Sequence, residues 1–147
     1  MADVFSIEDQ ICFSLYVCSK ELVKRYNERL EEFNLTYTQY LALMSLYESG
    51  TANVKELGKK LFLDSGTLTP LLKSLEKKGY LTRNRSMEDE RQLIVSITEA
   101  GCAIIKKVSD LPIKLREELV EDEKSIECLQ IILRKTLKKL RDKKGKA

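Results

Sequence analysis

The stretch that decides the fold runs over residues 63–81 and reads LDSGTLTPLLKSLEKKGYL. Its leucines recur at spacings of three and four residues, so the pattern predicts an amphipathic helix that buries one face. Asp64 is a residue type that caps helix N-termini, and Gly79 is a type that ends them. We therefore expect a helix over residues 65–78, which Pro70 bends rather than breaks because a glycine lies four positions before it.

The outward face of this predicted helix carries short polar side chains at its start and lysines towards its end. A helix that reads DNA needs small hydrogen-bonding groups where it enters the major groove, and cations that reach phosphates. The same pattern also fits an amphipathic helix with no ligand. The candidate base contacts are Ser65, Thr67 and Thr69, and the candidate phosphate contacts are Lys73, Lys77 and Lys78.

The segments on either side complete a recognisable order of elements. Upstream, Thr36 and Gln39 form a capping box that opens a helix ending at Gly50, and Asn53 then caps a short helix, VKELGKKL. Downstream, YLTRNR and RQLIVSI flank a charged turn, which is typical of a β-hairpin. Two short helices joined tightly and followed by a hairpin predict a winged helix-turn-helix.

The two ends of the chain are predicted to be helical and to need a partner. Ser6 and Asp9 resemble a capping box, so we expect a long first helix from about Ile7 to Glu32. A later helix opens at Thr98 and is interrupted or kinked near Pro112. The last helix carries an apolar stripe long enough to pack against another helix. The stripe consists of Ile126, Leu129, Leu133, Leu137 and Leu140.

These elements predict one protomer of the mainly α (α+β) class over residues 1–147. Residues 36–111 form the expected winged helix-turn-helix, and residues 1–35 and 112–147 the expected dimerisation helices. A homodimer is therefore predicted.

Composition excludes several classes of function. The chain has no histidine and four scattered cysteines, which removes histidine acid–base chemistry, Cys/His zinc sites and a disulfide scaffold. We expect neither an enzyme nor a bound cofactor or metal. No run approaches the length of a membrane span, and the first ten residues lack signal-peptide features, so a cytoplasmic protein without membrane contact is predicted. The net charge of +3 alone does not indicate nucleic acid.

The helix quoted above, with Phe62 included, resembles the recognition helix of the MarR family, and most closely its organic-hydroperoxide (OhrR-type) branch. The hairpin resembles the same family, because Asp89–Glu90–Arg91 followed by VSIT matches its wing pattern. The resemblance implies a double-stranded, pseudo-palindromic operator as partner. It implies that Arg91 enters the minor groove, that Asp89 orients it, and that Arg83 and Arg85 contact phosphates.

Residues 8–47 also resemble the first two helices of the OhrR type, and of the related thiol-based global regulators. The peroxide-reactive cysteine of that branch follows a short signature, and here Cys12 follows Asp9–Gln10–Ile11. The resemblance implies that Tyr16 and Tyr26 donate hydrogen bonds to the Cys12 thiolate. It also suggests Cys128 as a possible resolving cysteine, while Cys18 and Cys102 are expected to be structural.

Physical chemistry adds a constraint to this implied site. A thiol reacts with peroxide as the thiolate, and the anion needs hydrogen-bond donors. In the predicted first helix Cys12 lies about six residues from the start, too deep for the helix dipole to help much. Tyr26 is about 21 Å further along the same helix at 1.5 Å per residue. Its hydroxyl therefore reaches a Cys12 only across a dimer.

Three functions remain open from sequence. The first is a repressor whose DNA affinity is switched off when an organic peroxide oxidises Cys12, alone or with a small thiol as second reactant. The second is a MarR-type repressor that responds to a small aromatic ligand. The third is a thiol peroxidase, which is disfavoured because no arginine lies beside Cys12 to activate the peroxide.

Overall fold

The computed structural model describes residues 6–120 and 122–142, and divides between Ser109 and Asp110 into two compact units. None of the described helices is long and apolar enough to cross a membrane. The first unit contains α1 (Ile11–Leu30), α2 (Tyr37–Ser49), β1 (Thr51–Asn53), α3 (Val54–Leu61), α4 (Ser65–Lys77), β2 (Leu81–Arg85), β3 (Leu93–Ile97) and α5 (Glu99–Lys107). The second contains α6 (Leu111–Glu117) and α7 (Glu123–Asp142).

The strands form one antiparallel sheet in the order β1-β3-β2. β2 and β3 are the predicted hairpin, with Leu81 opposite Ile97 and Arg85 opposite Leu93. β1, with Asn53 opposite Ile94, was not expected. Three residues are too few to show strand periodicity, so this pairing is decided by the tertiary fold.

The core of the first unit lies between the helix-turn-helix and the sheet. The predicted inward face of α4 is confirmed, since Leu68, Leu72 and Leu75 are each at most 2% exposed. Leu43 of α2 and Val95 of β3 are fully buried in the same unit. Burial of one such side chain stabilises the fold by about 1.5–3 kcal/mol. The recognition-type helix is therefore held by the elements that precede and follow it.

The predicted helix ends in this core are confirmed by hydrogen bonds. The Thr36 hydroxyl accepts from the Gln39 N–H at 3.3 Å, and the Gln39 side chain accepts from the Thr36 N–H at 3.2 Å. The Asp64 carboxylate accepts from the Thr67 N–H at 2.8 Å. Gly79 follows α4 with φ of 77°, a left-handed conformation that favours glycine. Pro70 lies inside an unbroken α4.

The start of the first helix differs from the prediction. Ile7–Asp9 forms a separate 3-10 turn, and Gln10 is extended with φ −83° and ψ 113°. The Ser6 hydroxyl accepts from the Glu8 N–H rather than from Asp9. Because an extended residue cannot continue the helical hydrogen-bond ladder, α1 begins only at Ile11. It also ends at Leu30, before a second 3-10 turn, Glu31–Phe33.

The predicted interruption near Pro112 is confirmed. α5 ends at Lys107, and α6 begins at Leu111 with Pro112 in its first turn. Proline suits that position because the first helical N–H groups have no partner within the helix.

Candidate functional site

The first part of the site is the start of α4. Asp64 caps this helix, and the side chains that follow it alternate between the core and solvent. Because the leucines take the buried face, the short hydroxyl side chains remain outside, at the end where a recognition helix enters DNA. The predicted contacts Ser65, Thr67, Thr69, Lys73 and Lys77 are all exposed.

The second part is the tip of the β2–β3 hairpin. The Asp89 carboxylate accepts from the Arg91 backbone N–H at 3.0 Å and from the Gln92 side-chain amide at 3.2 Å. Asp89 thus shapes the turn that presents Arg91, through the backbone rather than through the guanidinium. The Arg91 side chain is exposed at this tip. Such an arrangement places a cation at the end of a hydrogen-bonded turn.

The other two arginines of the hairpin have partners within the protein. Arg85 donates to the Glu90 carbonyl oxygen at 2.7 Å and stays on the exposed side of the wing. Arg83 donates to Glu76 Oε2 from Nη2 at 2.6 Å and from Nε at 2.9 Å. This hydrogen bonding holds the pKa of the Glu76 carboxyl below its usual value. The phosphate role of Arg83 stays a prediction, and it competes with Glu76 of α4.

Lys78 was predicted to contact phosphates together with Lys73 and Lys77, but it does not face outward as they do. Its ammonium donates to the Asn34 carbonyl oxygen and, at 3.0 Å, to the Gln39 side chain. Burial lowers the pKa of Lys78. The partners lie 44 and 39 residues away in sequence, so local pattern carried no signal for them.

The third part is Cys12, which is exposed. It is the second residue of α1, not about the sixth of a longer helix as predicted, because the extended Gln10 restarts the helix. At this position the unpaired N–H groups and partial positive charge of the helix start favour a nearby anion. Tyr16 lies one turn further along on the same side of α1 and is 62% exposed.

Tyr26 belongs to a cluster of three tyrosines. α1 is continuous from Cys12 to Tyr26, so their separation of about 21 Å holds within one chain. The Tyr26 ring centroid lies 4.4 Å from that of Tyr37 and 5.9 Å from that of Tyr40. Burial raises the pKa of Tyr26, with a further contribution from Tyr37, and raises that of Tyr40 to about 12. At neutral pH these hydroxyls are therefore protonated donors.

Tyr37 and Tyr40 were not predicted to belong to the site. Their spacing of three residues at the start of α2 places both on one side of that helix, and this was the available signal. What the spacing did not indicate is that Tyr26 of α1 packs against them.

The remaining cysteines are spread over three helices. Cys18 is exposed on α1 rather than buried as a structural cysteine would be, whereas Cys102 of α5 is half-buried. Cys128 is exposed on α7 in the second unit. Its role as a resolving cysteine stays a prediction.

Each unit exposes apolar side chains along a terminal helix. In the first unit these lie at the start of α1 and in the turn before it, around Cys12. In the second unit they lie along α7, where four residues of the predicted stripe are exposed and the fifth, Ile126, is buried. They are Ile7, Ile11, Phe13, Leu15, Tyr16 and Val17 in the first unit, and Leu129, Ile131, Ile132, Leu133, Leu137 and Leu140 in the second. Surfaces of this kind are typical of protein–protein interfaces.

Comparison with known proteins gives consistent matches. The chain matches the family model of SarA/Rot transcriptional regulators over residues 24–108. It is 44% identical to the organic hydroperoxide resistance transcriptional regulator of Bacillus subtilis over 138 residues, 92% of this chain and 94% of that protein. It is 48% identical to the transcriptional regulator SarZ of Staphylococcus aureus over 112 residues, 76% of each.

The fold is similar to solved structures of AbfR, a protein of Staphylococcus epidermidis. Reduced AbfR bound to DNA matches with a TM-score of 0.74 and 34% identity, covering 91% of this chain and 95% of that one. Disulfide-formed AbfR matches with a TM-score of 0.61 and 32% identity, covering 89% and 92%. The curated relatives are regulators and not enzymes, so the thiol peroxidase interpretation is dropped. The chain belongs to the MarR-type winged-helix transcription regulators, in the group that contains the SarA/Rot and organic-hydroperoxide-resistance proteins.

Proposed function

We propose that the chain is a dimeric transcription repressor that leaves its operator when a peroxide oxidises Cys12. The observation that carries this proposal is the place of Cys12 in the first turn of α1. It is exposed, it lies one turn before Tyr16, and exposed apolar side chains surround it. A reactive thiolate needs access and a favourable dipole, which this position offers. It also needs hydrogen-bond donors, and we assign this role to Tyr16 and to Tyr26 of the partner subunit.

The DNA-binding half of the proposal uses α4 and the hairpin. The exposed hydroxyls at the start of α4 read base edges in the major groove, and Lys73 and Lys77 contact phosphates. Arg91 at the tip of the hairpin enters the adjacent minor groove, and Asp89 fixes its turn. Two copies of this unit bind a pseudo-palindromic double-stranded operator, because a two-fold protein matches a two-fold site.

The dimer is supported by the exposed apolar side chains of α1 and α7. We assign dimerisation to residues 1–35 and 112–147, and DNA binding to residues 36–111. In the dimer, Tyr26 of one subunit donates to Cys12 of the other, since the two are too far apart within one α1. The pKa of Tyr26, raised by burial, keeps this hydroxyl a donor.

The chemical step is oxidation of the sulfur by two electrons. The Cys12 thiolate attacks the terminal oxygen of the hydroperoxide, the O–O bond breaks, and the alkoxide leaves and takes a proton as the alcohol. The product is a sulfenic acid at Cys12. A second thiol then forms a disulfide with release of water. That thiol is Cys128 or a small thiol, and the disulfide-formed state of AbfR supports a second step of this kind.

A location in the cytoplasm follows from the proposed partner, since a bacterial-type repressor must reach chromosomal DNA. The small-ligand alternative has less support. A groove of about 670 Å³ in the first unit is lined mainly by charged and amide side chains, and no aromatic side chain is among them. Small-molecule sites are usually lined by hydrophobic and aromatic side chains, which this groove largely lacks.

A gel-shift titration on the chain's own promoter tests the proposal. Wild-type protein should release the DNA on treatment with cumene hydroperoxide, with affinity lower by about 5–150-fold, the usual range of coupling between two sites. Cys12→Ser should bind as wild type and stay bound, whereas Cys18→Ser, the matched control on the same helix, should be released. A Cys12→Ser protein that still leaves the DNA would overturn the sensing mechanism.

A further inference from the structure

We propose that Glu76 and Arg83 form a clamp that sets the angle of the wing to the recognition helix, and that Arg83 is a positioning residue rather than a phosphate contact. This inference rests on the proposed DNA-binding function. It concerns the link between α4 and β2, which read different grooves and must therefore hold a defined relative geometry.

The clamp consists of three hydrogen bonds to one carboxylate. The Arg83 guanidinium donates twice to Glu76 Oε2, at 2.6 and 2.9 Å, and the Arg83 backbone N–H donates to Oε1 at 3.1 Å. Charge-assisted pairs of this geometry are the strong ones among side-chain bonds. The side chains are only 21% and 36% exposed, so water screens the pair less than it screens a surface ion pair.

The hydrogen bond from the Arg83 backbone N–H to Glu76 links the strand itself, and not only a side chain, to α4. β2 is an edge strand of the sheet, and edge strands carry N–H groups that have no strand partner. Because Glu76 accepts from the Arg83 N–H, the outer edge of β2 is hydrogen-bonded to the last turn of α4. Arg83 also lies opposite Val95, the buried centre of β3, so these bonds act at the middle of the hairpin and not at its tip.

The competing role for Arg83 is a phosphate contact, and the two roles predict opposite signs for one substitution. If Arg83 binds phosphate, Glu76→Ala frees its guanidinium and removes a negative charge near DNA, so binding should tighten. If the clamp positions the wing, the same change should weaken operator binding. Glu88 supplies the matched control, because it is an exposed carboxylate on the turn of the wing. Glu88→Ala should show the effect of charge removal alone.

The experiment measures the affinity of full-length wild type, Glu76→Ala, Arg83→Ala and the double variant for operator and for unrelated DNA, over a range of salt. We expect each single change to lower the ratio of specific to non-specific binding by about tenfold and the double change to lower it no further, because the two residues act as one unit. Glu88→Ala should leave the ratio unchanged. Tighter operator binding by Glu76→Ala would overturn the clamp. So would a salt slope lowered by about one in Arg83→Ala, since that is the signature of a lost phosphate contact.

Hydrogen exchange of the DNA-free protein gives a second readout that does not depend on the proposed function. Exchange of the Arg83 backbone amide should quicken by about tenfold or more in Glu76→Ala and stay unchanged in Glu88→Ala. Alanine suits a helical position, so α4 should persist in the variant. Unchanged exchange at Arg83 would overturn the clamp. If instead exchange quickens while wild type itself shows no preference for the operator, the proposed function fails and the clamp stands.

Discussion

The helix-turn-helix with its wing and the first half of α1 belong to the same compact unit. They differ in how far their side chains are buried and paired within the chain. In the former, the leucines of α4 are largely buried, the helices are capped, and Arg83 and Arg85 have hydrogen-bond partners within the chain. In the latter, residues 11–20 are all exposed, apolar ones included. The DNA-reading region is thus complete in one copy, whereas the region around Cys12 needs a second copy to cover it. We infer that sensing, unlike folding of the recognition helix, is a property of the dimer.

Two leucine substitutions, one in each region, test this difference most directly. Leu72→Ala leaves a cavity in the core and should lower the free energy of unfolding by about 2–5 kcal/mol. Leu15→Ala removes a similar side chain that is 40% exposed, and in the monomer it should cost at most about 0.5 kcal/mol. Urea unfolding at low and high protein concentration measures both. The Leu72→Ala effect should persist at all concentrations, and the Leu15→Ala effect should grow only where the protein is dimeric.

A charge placed on the exposed part of α1 should disrupt the dimer. Leu15→Asp forces an unpaired carboxylate into the interface, and we expect the dimer dissociation constant to rise by about a hundredfold or more. Sedimentation of wild type at micromolar concentration should give about twice 16.9 kDa. Ala100→Asp, an exposed alanine of α5, is the control and should leave the mass unchanged. A wild-type monomer at that concentration would remove the basis for the intersubunit site.

Arg91→Ala tests whether the β2–β3 hairpin contributes to recognition of the operator. Its loss should weaken operator binding by about 1–3 kcal/mol and reduce discrimination between operator and mutated sites, because a groove contact carries sequence information. Fluorescence anisotropy on both DNA sequences measures this. Equal loss on both sequences would reassign Arg91 to the phosphate backbone.

Tyr26→Phe tests whether Tyr26 of one subunit donates a hydrogen bond to Cys12 of the other. Removal of one donor to the thiolate should slow sulfenic acid formation at Cys12 by about 2–10-fold, the range expected for one hydrogen bond of about 0.5–1.5 kcal/mol. Tyr47→Phe, an exposed tyrosine at the other end of α2, should have no effect. The rate is measured with a sulfenic-acid-specific probe and mass spectrometry. Equal rates in both variants would separate Tyr26 from the sensing site.

The smallest expected effect belongs to Lys77. Lys77→Ala should weaken binding to all DNA sequences alike and lower the salt slope by about one, because one phosphate contact releases about one counterion. Lys78→Ala is the matched control, since the Lys78 ammonium is bonded to Asn34 and Gln39. Its salt slope should equal that of wild type, and a drop there would show that Lys78 also reaches phosphate.

Much of the fold could be predicted because its signals are local. The caps of α2 and α4, the buried leucine face and the β2–β3 hairpin each depend on residues within a few positions of one another. The start of α1 was misplaced for a related reason: Ser6 and Asp9 have the residue types of a capping box, but the backbone at Gln10 leaves the helical region. Side-chain types show where a helix can be capped, but the backbone angles decide at which residue the helical hydrogen bonds begin.

The amino-acid sequence by itself determined the winged helix-turn-helix, the exposed row of hydroxyls on α4 and the distance that keeps Tyr26 from its own Cys12. All of these follow from patterns along one segment: the period and rise of a helix, and for the wing two strand runs around a turn. The structure alone decided that Cys12 lies in the first turn of α1, that Tyr26 packs on Tyr37 and Tyr40, and that Glu76 accepts hydrogen bonds from Arg83. These features depend on where a helix restarts or on contacts between separate elements, and such contacts are set by packing of the whole unit rather than by any local pattern.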